Sequence, residues 1–373
     1  MRWAFWGPVA VILYTYFGYP LWLWVRSRWR PRPVQTGACT PAISIVMVVR
    51  NEAAVLRRKL SNLRQLNYPR QLMEIVAVSD GSSDDTNKIF SELADDPQVR
   101  IVLNPEARGK AVRLNDAIAV ARGEVIVFTD ARQQIEAEAI LRLMEKFADP
   151  AVGCASGELM LGDPQAGESA QGMGLYWQVE KKIRELESAS GSVIGATGAF
   201  YAVRRHLVPP LPPGTVLDDV YIPMQVVRQG ARVVFDPCAR AWDLPDQGTK
   251  REFARKVRTL GGNYQLLQLA PWLLRRENPV RFEFVSHKLL RLVVPVALAV
   301  VLFSSFFLPG LVYRAALGFQ LVFYALGLLA LVQPGKGPLA RICDPAFTFV
   351  LLNTAAAVAF TNFVIGRKAL WGR

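Results

Sequence analysis

Four stretches without charged residues constrain this chain of 373 residues more than any other feature of its sequence. None contains Asp, Glu, Lys or Arg, and each is just over twenty residues long: Trp3 to Val25, Leu292 to Tyr313, Ala315 to Gly335 and Pro345 to Gly366. At about 1.5 Å per residue, a helix of that length spans a hydrocarbon layer of about 30 Å. We therefore expect one transmembrane helix before a polar middle region and three after it.

Arginines at positions 26, 28, 30 and 32 follow the first apolar stretch. Such clusters favour the cytoplasmic side, so we expect a multi-pass protein of the inner (cytoplasmic) membrane whose middle region is cytoplasmic. A cleaved signal peptide is the alternative, but the apolar run is long and no small-residue cleavage site follows before the arginines. Four spans would also place Arg367, Lys368 and Arg373 outside, which conflicts with the same rule. A re-entrant or interfacial C-terminal segment is therefore left open.

The charge and the cysteines exclude two classes of function. The formal net charge is +13, yet the chain carries no nucleic-acid recognition motif, and basic segments beside a membrane gain about 1 kcal/mol per residue from anionic lipid. We therefore expect membrane lipids and no nucleic acid as partners. The four cysteines lie far apart, without the spacing of metal ligands, which suits a reducing compartment.

The polar middle region, residues 40–268, alternates strand-like and helix-like segments. The strand-like runs are residues 43–49, 74–79, 100–103 and 125–128, and a helical pattern follows each, as with Leu56, Leu60 and Leu63. This βαβαβαβ order predicts an α/β domain with a mostly parallel sheet, covered by helices on both faces. Ligands of such sheets bind at the carboxyl ends of the strands.

Polar residues gather at those strand ends. Asn51 and Glu52 follow the first strand, Asp80 the second and Asp130 the fourth. Each alone is explained as a helix cap or turn residue, but three strand ends with the same character favour a binding site. Neither a G-x-G-x-x-G turn nor a G-x-x-x-x-G-K-[ST] loop is present, so neither a dinucleotide dehydrogenase nor a P-loop NTPase is supported.

Six segments in order resemble the membrane-bound glycosyltransferases of family 2, which include cellulose, chitin, hyaluronan and poly-N-acetylglucosamine synthases. They are SIVMVVRNE, VAVSDGSSDDT, ARGKAVRLNDAI, EVIVFTDARQ, TGAFYAVRR and VLDDVYIPMQVVRQGARVVFDPCARAWD, and the likeness covers about residues 42–268. The resemblance implies a GT-A fold, with a nucleotide-sugar-binding half followed by an acceptor half.

The resemblance also implies roles for the residues that bind the donor. Asp80 would contact the uracil ring, Asn51 and Glu52 would flank the base, and Lys110 would face phosphate. A solvated lysine is the alternative for Lys110.

Asp130 takes the first position of the family's DxD motif, which meets the ribose and a metal ion, Mg²⁺ or Mn²⁺. The second position is Arg132, and an arginine repels a cation. Two hypotheses follow. Asp130 holds the metal together with phosphate and water, or Arg132 itself neutralises the phosphate. We favour the first, because Mg²⁺ often keeps waters and few protein ligands.

The resemblance assigns the general base to Asp219, with Asp218 as its orienting neighbour. Transfer of a sugar to a hydroxyl needs a carboxylate that accepts the acceptor's proton. A pair of helix-capping residues is the alternative for these aspartates. Thr197 and Gly198 would line the acceptor site, since glycine lets the backbone approach a sugar closely.

Departures from the family pattern occur near the end of this region. Arg255 and Arg258 stand where the synthases carry the Gln and Arg of QxxRW, and Thr259 replaces the tryptophan, which puts polymer-type processivity in doubt. Arg258 would pair with the leaving diphosphate. A membrane-surface helix is the competing explanation, and we expect an interfacial amphipathic segment at 269–285. The amphipathic stretch 176–188 either lies near the acceptor channel or serves as a packing helix.

The function that this resemblance implies is inverting transfer from a UDP-sugar to a growing polysaccharide, as in exopolysaccharide biosynthesis. One alternative is transfer of a single sugar to a lipid acceptor, because four spans are few for a channel. Another is a domain that binds nucleotide without catalysis. A partner protein for secretion is left open.

Overall fold

The computed structural model describes residues 2–93, 95–162, 175–244, 249–332 and 338–367. The end of the third apolar stretch and the tail residues Lys368 and Arg373 therefore lie outside the described residues. Among those described, one eight-stranded sheet has the order β3-β2-β1-β4-β7-β6-β8-β5. Its strands are β1 (Ile43–Val49), β2 (Met73–Asp80), β3 (Val99–Asn104), β4 (Val125–Thr129), β5 (Gln134–Ile135), β6 (Val152–Leu161), β7 (Phe200–Arg204) and β8 (Arg232–Asp243).

Helices precede the first strand, lie between strands along the sequence, and follow the last strand. They are α1 (Arg2–Leu13), α2 (Tyr19–Trp29), α3 (Ala53–Arg64), α4 (Thr86–Ser91), α5 (Lys110–Val120), α6 (Ala139–Glu145), α7 (Leu175–Ser190), α8 (Asp218–Arg228), α9 (Thr249–Leu269), α10 (Arg281–Phe284), α11 (Leu290–Phe307), α12 (Leu311–Val332) and α13 (Pro338–Val364).

The predicted α/β sheet is confirmed for its first half and is mixed in its second. Strands β3, β2, β1 and β4 pair in parallel, as the βαβαβαβ order predicts. Beyond β4 the pairs β4–β7, β7–β6 and β8–β5 are antiparallel, while β6–β8 is parallel. The carboxyl ends of β1, β2 and β4 thus lie side by side at one edge of the sheet.

Helices bury both faces of the sheet. Along β1, Val46 and Val48 belong to one apolar cluster, which α5 and α8 complete, whereas Ile45 and Met47 point to the opposite face. This alternation follows from the two-residue period of a strand. On that opposite face α3 contributes Leu56, Leu60 and Leu63, the predicted apolar positions.

Four helices are long and apolar enough to cross a membrane, one N-terminal and three C-terminal, as predicted. They run Arg2–Trp29, Arg281–Phe307, Leu311–Ala330 and Cys343–Val364. The first includes a π-helical turn, Tyr14–Gly18. It packs against α11 and α12 through Phe5, Val301 and Tyr313.

The α/β domain and the four long apolar helices are joined along α9 and the segment after it. Tyr264 of α9 stacks on Phe363 of α13 at a centroid distance of 5.1 Å. Within the segment 269–285, Trp272 and Leu273 are buried in the main apolar cluster of the domain. Contact of this segment with the membrane surface stays a prediction.

Candidate active site

The loops after β1 and β2 are joined by hydrogen bonds at the carboxyl edge of the sheet. Asn51 has a left-handed backbone, with φ of 55°, and its Oδ1 accepts a hydrogen bond from the backbone N–H of Ser83 at 2.8 Å. The backbone N–H of Glu52 donates to Thr86 Oγ1 at 3.0 Å. Burial raises the pKa of Glu52, although Arg132 opposes the shift. Both residues therefore lie at the predicted edge, where a base would enter.

Asp80 organises the loop that leads into α5. Its fully buried carboxylate accepts hydrogen bonds from the backbone N–H groups of Arg108 at 2.7 Å and Gly109 at 3.0 Å, and from Arg113 Nε at 3.0 Å. A carboxylate can accept about four hydrogen bonds, so the protein itself fills most of the acceptor positions of Asp80. Its contact with uracil stays a prediction.

Lys110 joins Asp130, which follows β4, to Asp218 at the start of α8. Its Nζ lies 3.2 Å from Asp130 Oδ1 and 3.3 Å from Asp218 Oδ2. Burial disfavours its charge, but the two carboxylates raise the pKa of Lys110 above its ordinary value. The Lys110 side chain is thus held between the end of β4 and the start of α8. This placement differs from the alternative, a freely solvated lysine.

Asp219 lies against the predicted acceptor residues. A Cβ atom added to Gly198 would stand 2.8 Å from Asp219 Oδ2, so a side chain at position 198 would displace this carboxylate. The neighbouring Thr197 accepts a hydrogen bond from Arg184 Nη1 at its Oγ1, at 2.7 Å. Burial and the charge of Asp218 raise the pKa of Asp219 to about 6, against the effect of Lys110. A carboxyl group with this pKa can exchange a proton near neutral pH.

The capping alternative for the two aspartates does not match the start of α8. The N-cap residue is Leu217, and no side chain caps the helix there. Asp218 and Asp219 occupy the first turn, where the helix dipole favours negative charge. Their side chains are therefore directed to the site rather than used as caps.

Asp243 is a site residue that sequence reasoning missed. It ends β8 and is 5% exposed, and its Oδ1 lies 3.7 Å from Arg132 Nη2 while its Oδ2 accepts from Gln133 Nε2 at 2.8 Å. The arginine at the second DxD position thus has a carboxylate beside it. The signal was present in the sequence, because β8, like β4, runs directly into an aspartate.

Lys59 is a second residue that was missed. It is 1% exposed, and its Nζ donates to Thr129 Oγ1 at 2.8 Å and to the backbone oxygen of Gln133 at 2.7 Å. It thereby holds the turn that carries Asp130 and Arg132. Burial lowers the pKa of Lys59 to about 7, although Asp130 opposes the shift. Its position on the apolar face of α3, between Leu56 and Leu63, was the available signal.

The protein ligands available at Asp130 fit a metal ion that takes most of its ligands from substrate and water. Within the described ranges, no group of three or more His, Cys, Asp or Glu side chains could hold an ion. The Asp130 side chain is 41% exposed and Lys110 contacts only its Oδ1. One carboxylate is therefore available, and Mg²⁺ sites in proteins often use one or two.

Arg255 and Arg258 are placed on α9. Arg255 is exposed and Arg258 is half-buried. Among the described residues, no hydrogen bond or ion pair joins either arginine to the acidic cluster, so their contact with diphosphate stays a prediction. One turn beyond Arg258, a Cβ added to Gly262 would lie 2.7 Å from Leu217 Cγ. The helix therefore touches the residue that precedes Asp218.

Comparisons with known proteins concern the family and the fold of this chain. Residues 44–209 match the model of glycosyl transferase family 2. Poly-beta-1,6-N-acetyl-D-glucosamine synthase of Staphylococcus aureus (strain COL) is 25% identical over 234 residues, which are 60% of this chain and 55% of that protein. Beta-monoglucosyldiacylglycerol synthase of Trichormus variabilis (strain ATCC 29413 / PCC 7937) is 26% identical over 205 residues, 54% of this chain and 44% of that one. The chain spans about half the length of these curated relatives.

A solved structure matches nearly the whole chain. It is the mannosyltransferase PcManGT from Pyrobaculum calidifontis in complex with GDP-Man and Mn²⁺, with a TM-score of 0.74 at 23% identity over 96% of this chain and 98% of that one. At this identity the likeness shows the fold, and the fold is the one that the sequence predicts. Residues 44–209 therefore match a glycosyl transferase family 2 domain, and the chain as a whole has the fold of this solved mannosyltransferase.

Proposed function

We propose that this protein is a glycosyltransferase that moves a hexose from a UDP-sugar to an acceptor hydroxyl at the cytoplasmic face of the membrane, with inversion at the anomeric carbon. The observation that carries the proposal is the half-buried carboxylate of Asp219, with a raised pKa, against the backbone of Gly198. It has the properties of a general base for a hydroxyl acceptor.

The donor would lie across the strand ends. Asn51, Glu52 and Asp80 form the base end of this edge, and Lys110 with Asp130 forms its phosphate end. Arg255 and Arg258 would neutralise the leaving diphosphate from α9. A Mg²⁺ or Mn²⁺ ion held by Asp130 would supply further positive charge to the diphosphate.

The reaction requires one proton transfer and one displacement. Asp219 accepts the proton of the acceptor hydroxyl, whose oxygen forms a bond to the anomeric carbon while the bond from that carbon to the UDP oxygen breaks. A single displacement of this kind inverts the anomeric configuration. Lys110 pairs with Asp218, the neighbour of Asp219, and also with Asp130. One positive charge therefore faces both the aspartates of α8 and Asp130.

Two acceptors are supported by different observations. A growing polysaccharide agrees with the named product of the Staphylococcus relative, of which this chain spans about half. A lipid-borne acceptor is favoured by the structure, because an apolar groove opens between the membrane helices beside the domain. We favour the lipid-borne acceptor, which includes a saccharide that grows on a lipid. A partner protein for secretion stays a prediction.

The experiment is donor turnover by the purified full chain. UDP release is measured with a panel of UDP-sugars in membrane nanodiscs, GDP-mannose is included as a control donor, and the products are identified by mass spectrometry. We expect release with one or a few UDP-sugars and loss of release in Asp219→Asn. Release from GDP-mannose alone would contradict the UDP assignment, and binding of donor without any turnover would indicate the non-catalytic alternative.

A further inference from the structure

A buried lysine supports the turn that carries Asp130. Lys59 lies on α3 and is 1% exposed. Its Nζ donates to the side chain of Thr129 at 2.8 Å, directly before Asp130, and to the backbone oxygen of Gln133 at 2.7 Å, three residues after it. One amino group therefore joins the two ends of the turn. Because the amino group is buried, Lys59 acts on a bound ligand through this turn.

Two further residues of α3 hold the same stretch of main chain. Arg58 Nη2 donates to the backbone oxygen of Arg132 at 3.1 Å. Asn62 exchanges two hydrogen bonds with the backbone of Ile135, each of 2.8 Å. Of these contacts, the one between Lys59 and Thr129 lies nearest to Asp130 along the chain. The position of the Asp130 turn is thus set relative to α3.

Lys59 occupies a position where an apolar residue would suit the core. It lies on the buried face of α3 with Leu56 and Leu63. Burial of an amino group costs free energy unless its N–H groups are hydrogen-bonded, and Thr129 and Gln133 accept two of them. Departures from the apolar pattern of a core are typical of functional sites. A buried lysine here therefore favours a function for the turn that it supports.

The base end of the donor site has its own supports. Asn51 accepts a hydrogen bond from Ser83, and Asp80 accepts hydrogen bonds from Arg108 and Gly109. These contacts join the loops after β1 and β2 to the start of α5, and they do not pass through the turn at 129–133. A change at Lys59 should therefore affect the diphosphate end of the site and leave the base end intact.

We propose that Lys59 is a positioning residue for the diphosphate end of the donor site, where it fixes Asp130 through Thr129 and Gln133. The inference rests on the proposed function and names the residue that sets its metal-dependent affinity. Arg132 takes the second position of the acidic motif, so Asp130 supplies the one carboxylate of that motif for Mg²⁺ or Mn²⁺. A displacement of Asp130 is therefore not compensated by a second motif carboxylate.

The test is ligand binding to the purified full chain in nanodiscs, measured by calorimetry. The ligands are uridine, UDP with Mn²⁺, and UDP with EDTA, and electron paramagnetic resonance measures free Mn²⁺ in the second case. Lys59→Met keeps the length of the side chain and removes its donors. We expect its affinity for UDP with Mn²⁺ to fall about tenfold or more, the scale for residues that orient metal ligands, and its affinity for uridine to stay unchanged.

Two outcomes would overturn the proposal. An equal loss of uridine and UDP affinity would show that Lys59 only stabilises the fold. Wild-type affinity of Lys59→Met for UDP with Mn²⁺ would show that the turn does not need the lysine. Arg57→Gln is the matched control, because Arg57 is an exposed cation on the same helix, paired with Glu92, and all three affinities should stay unchanged.

A second substitution tests the route of the effect. Thr129→Val removes one acceptor of Lys59 with little change of shape, and it should weaken the binding of UDP with Mn²⁺ several-fold. In the Lys59→Met background the same substitution should cause no further loss, since the two residues act through one contact. Additive losses would contradict this route. Because valine suits a strand, Thr129→Val tests the proposal even if Lys59→Met fails to fold.

Inorganic pyrophosphate with Mn²⁺ separates this proposal from the proposed donor, because it carries the diphosphate without a nucleoside. If UDP does not bind, but pyrophosphate binds to the wild type and more weakly to Lys59→Met, the UDP assignment is wrong and the role of Lys59 stands. If UDP release is robust and Lys59→Met binds UDP and pyrophosphate like the wild type, the proposed transfer stands and the role of Lys59 is wrong.

Discussion

Neighbouring side chains shift the pKa of Asp219 in opposite directions. Burial and the Asp218 carboxylate disfavour its ionised form, whereas Lys110, Lys288 and Arg184 favour it. The balance places its pKa at about 6, above the ordinary value of 3.8. The carboxylate is therefore ionised at neutral pH and still basic enough to accept a proton during transfer.

The pH dependence of kcat/KM follows from this value. The base acts in its deprotonated form, so activity should be half-maximal near pH 6, nearly full about one pH unit above it, and should fall about tenfold per pH unit well below it. Because Asp218 and Asp219 interact, the measured midpoint belongs to the pair. A profile from pH 4.5 to 8 checks this, and a midpoint near 4 would show that Asp219 is an ordinary surface carboxylate.

Removing the basicity of Asp219 should separate binding from transfer. In Asp219→Asn the shape is kept and the base is lost, so we expect transfer to fall about a hundredfold or more with UDP binding nearly unchanged. Titration with UDP and steady-state UDP release measure the two effects. Asp96→Asn, a carboxylate paired with Arg64 at the surface, serves as the control and should retain activity.

The pair of Arg132 and Asp243 predicts a specific metal requirement. Asp130→Ala should abolish transfer, EDTA should stop it, and Mg²⁺ or Mn²⁺ should restore it.

In Asp243→Asn the charge of Arg132 loses its nearby carboxylate, so several-fold more Mn²⁺ should be needed for half-maximal activity. Adding Arg132→Ala should reverse that change, and Arg132→Asp should be tolerated. Full activity of a metal-stripped enzyme would instead assign the phosphate to Arg132.

Sequence could indicate the edge of the site but not its contacts. Asn51, Glu52, Asp80 and Asp130 lie at strand ends, as the parallel-sheet rule requires. The ion pairs of Lys110 and the position of Lys59 depend on how α3 and α5 pack, which periodicity does not report. The aspartate at the end of β8 was visible in the sequence, but its contact with Arg132, more than a hundred positions away, was not.

Among the secondary structure elements, β6 shows where sequence patterns fail. It includes Gly153 and Gly157, which have low strand propensity and resemble a loop. The structure requires them, since a Cβ at 157 would lie 2.5 Å from Phe200 Cδ1 and one at 153 would lie 2.6 Å from Val226 Cγ1. Close contact with neighbouring side chains, rather than propensity, selects these residues. The sequence did not predict β6 for this reason, and the mixed second half of the sheet contains this strand.

The contact between α9 and Leu217 gives a prediction at the same scale. Gly262→Ala places a Cβ 2.7 Å from Leu217 Cγ, which must move together with the start of α8, so we expect kcat to fall at least several-fold. Gly261→Ala is the matched control, because its Cβ would have no neighbour nearer than 4.0 Å. Either substitution alone favours the helical state by about 1 kcal/mol, because alanine has a higher helix propensity than glycine. Thermal stability must therefore be measured beside kcat. Equal kcat values would show that α9 does not position Asp218.

For the whole molecule, the predicted orientation places residues 33–285 in the cytoplasm. A cysteine at Gln35 should then resist a membrane-impermeant maleimide in intact cells and react after permeabilisation, as should the exposed native Cys238. A cysteine at Pro309, between α11 and α12, should react in intact cells. The arginines after the first helix are the physical reason. Labelling of position 35 in intact cells would reverse the topology.

The first membrane helix makes its polar contacts with segments that are synthesised much later. Tyr14 Oη pairs with Ser286 Oγ at 2.9 Å, Tyr19 Oη donates to Glu187 Oε1 at 2.7 Å, and Arg26 pairs with Glu283. At about 5–20 residues per second, a ribosome needs on the order of ten seconds or more to extend the chain from Tyr14 to Ser286. During that interval the helix must be retained in the bilayer by its own hydrophobicity, and its contacts with Glu283 and Ser286 can form only in the last quarter of translation.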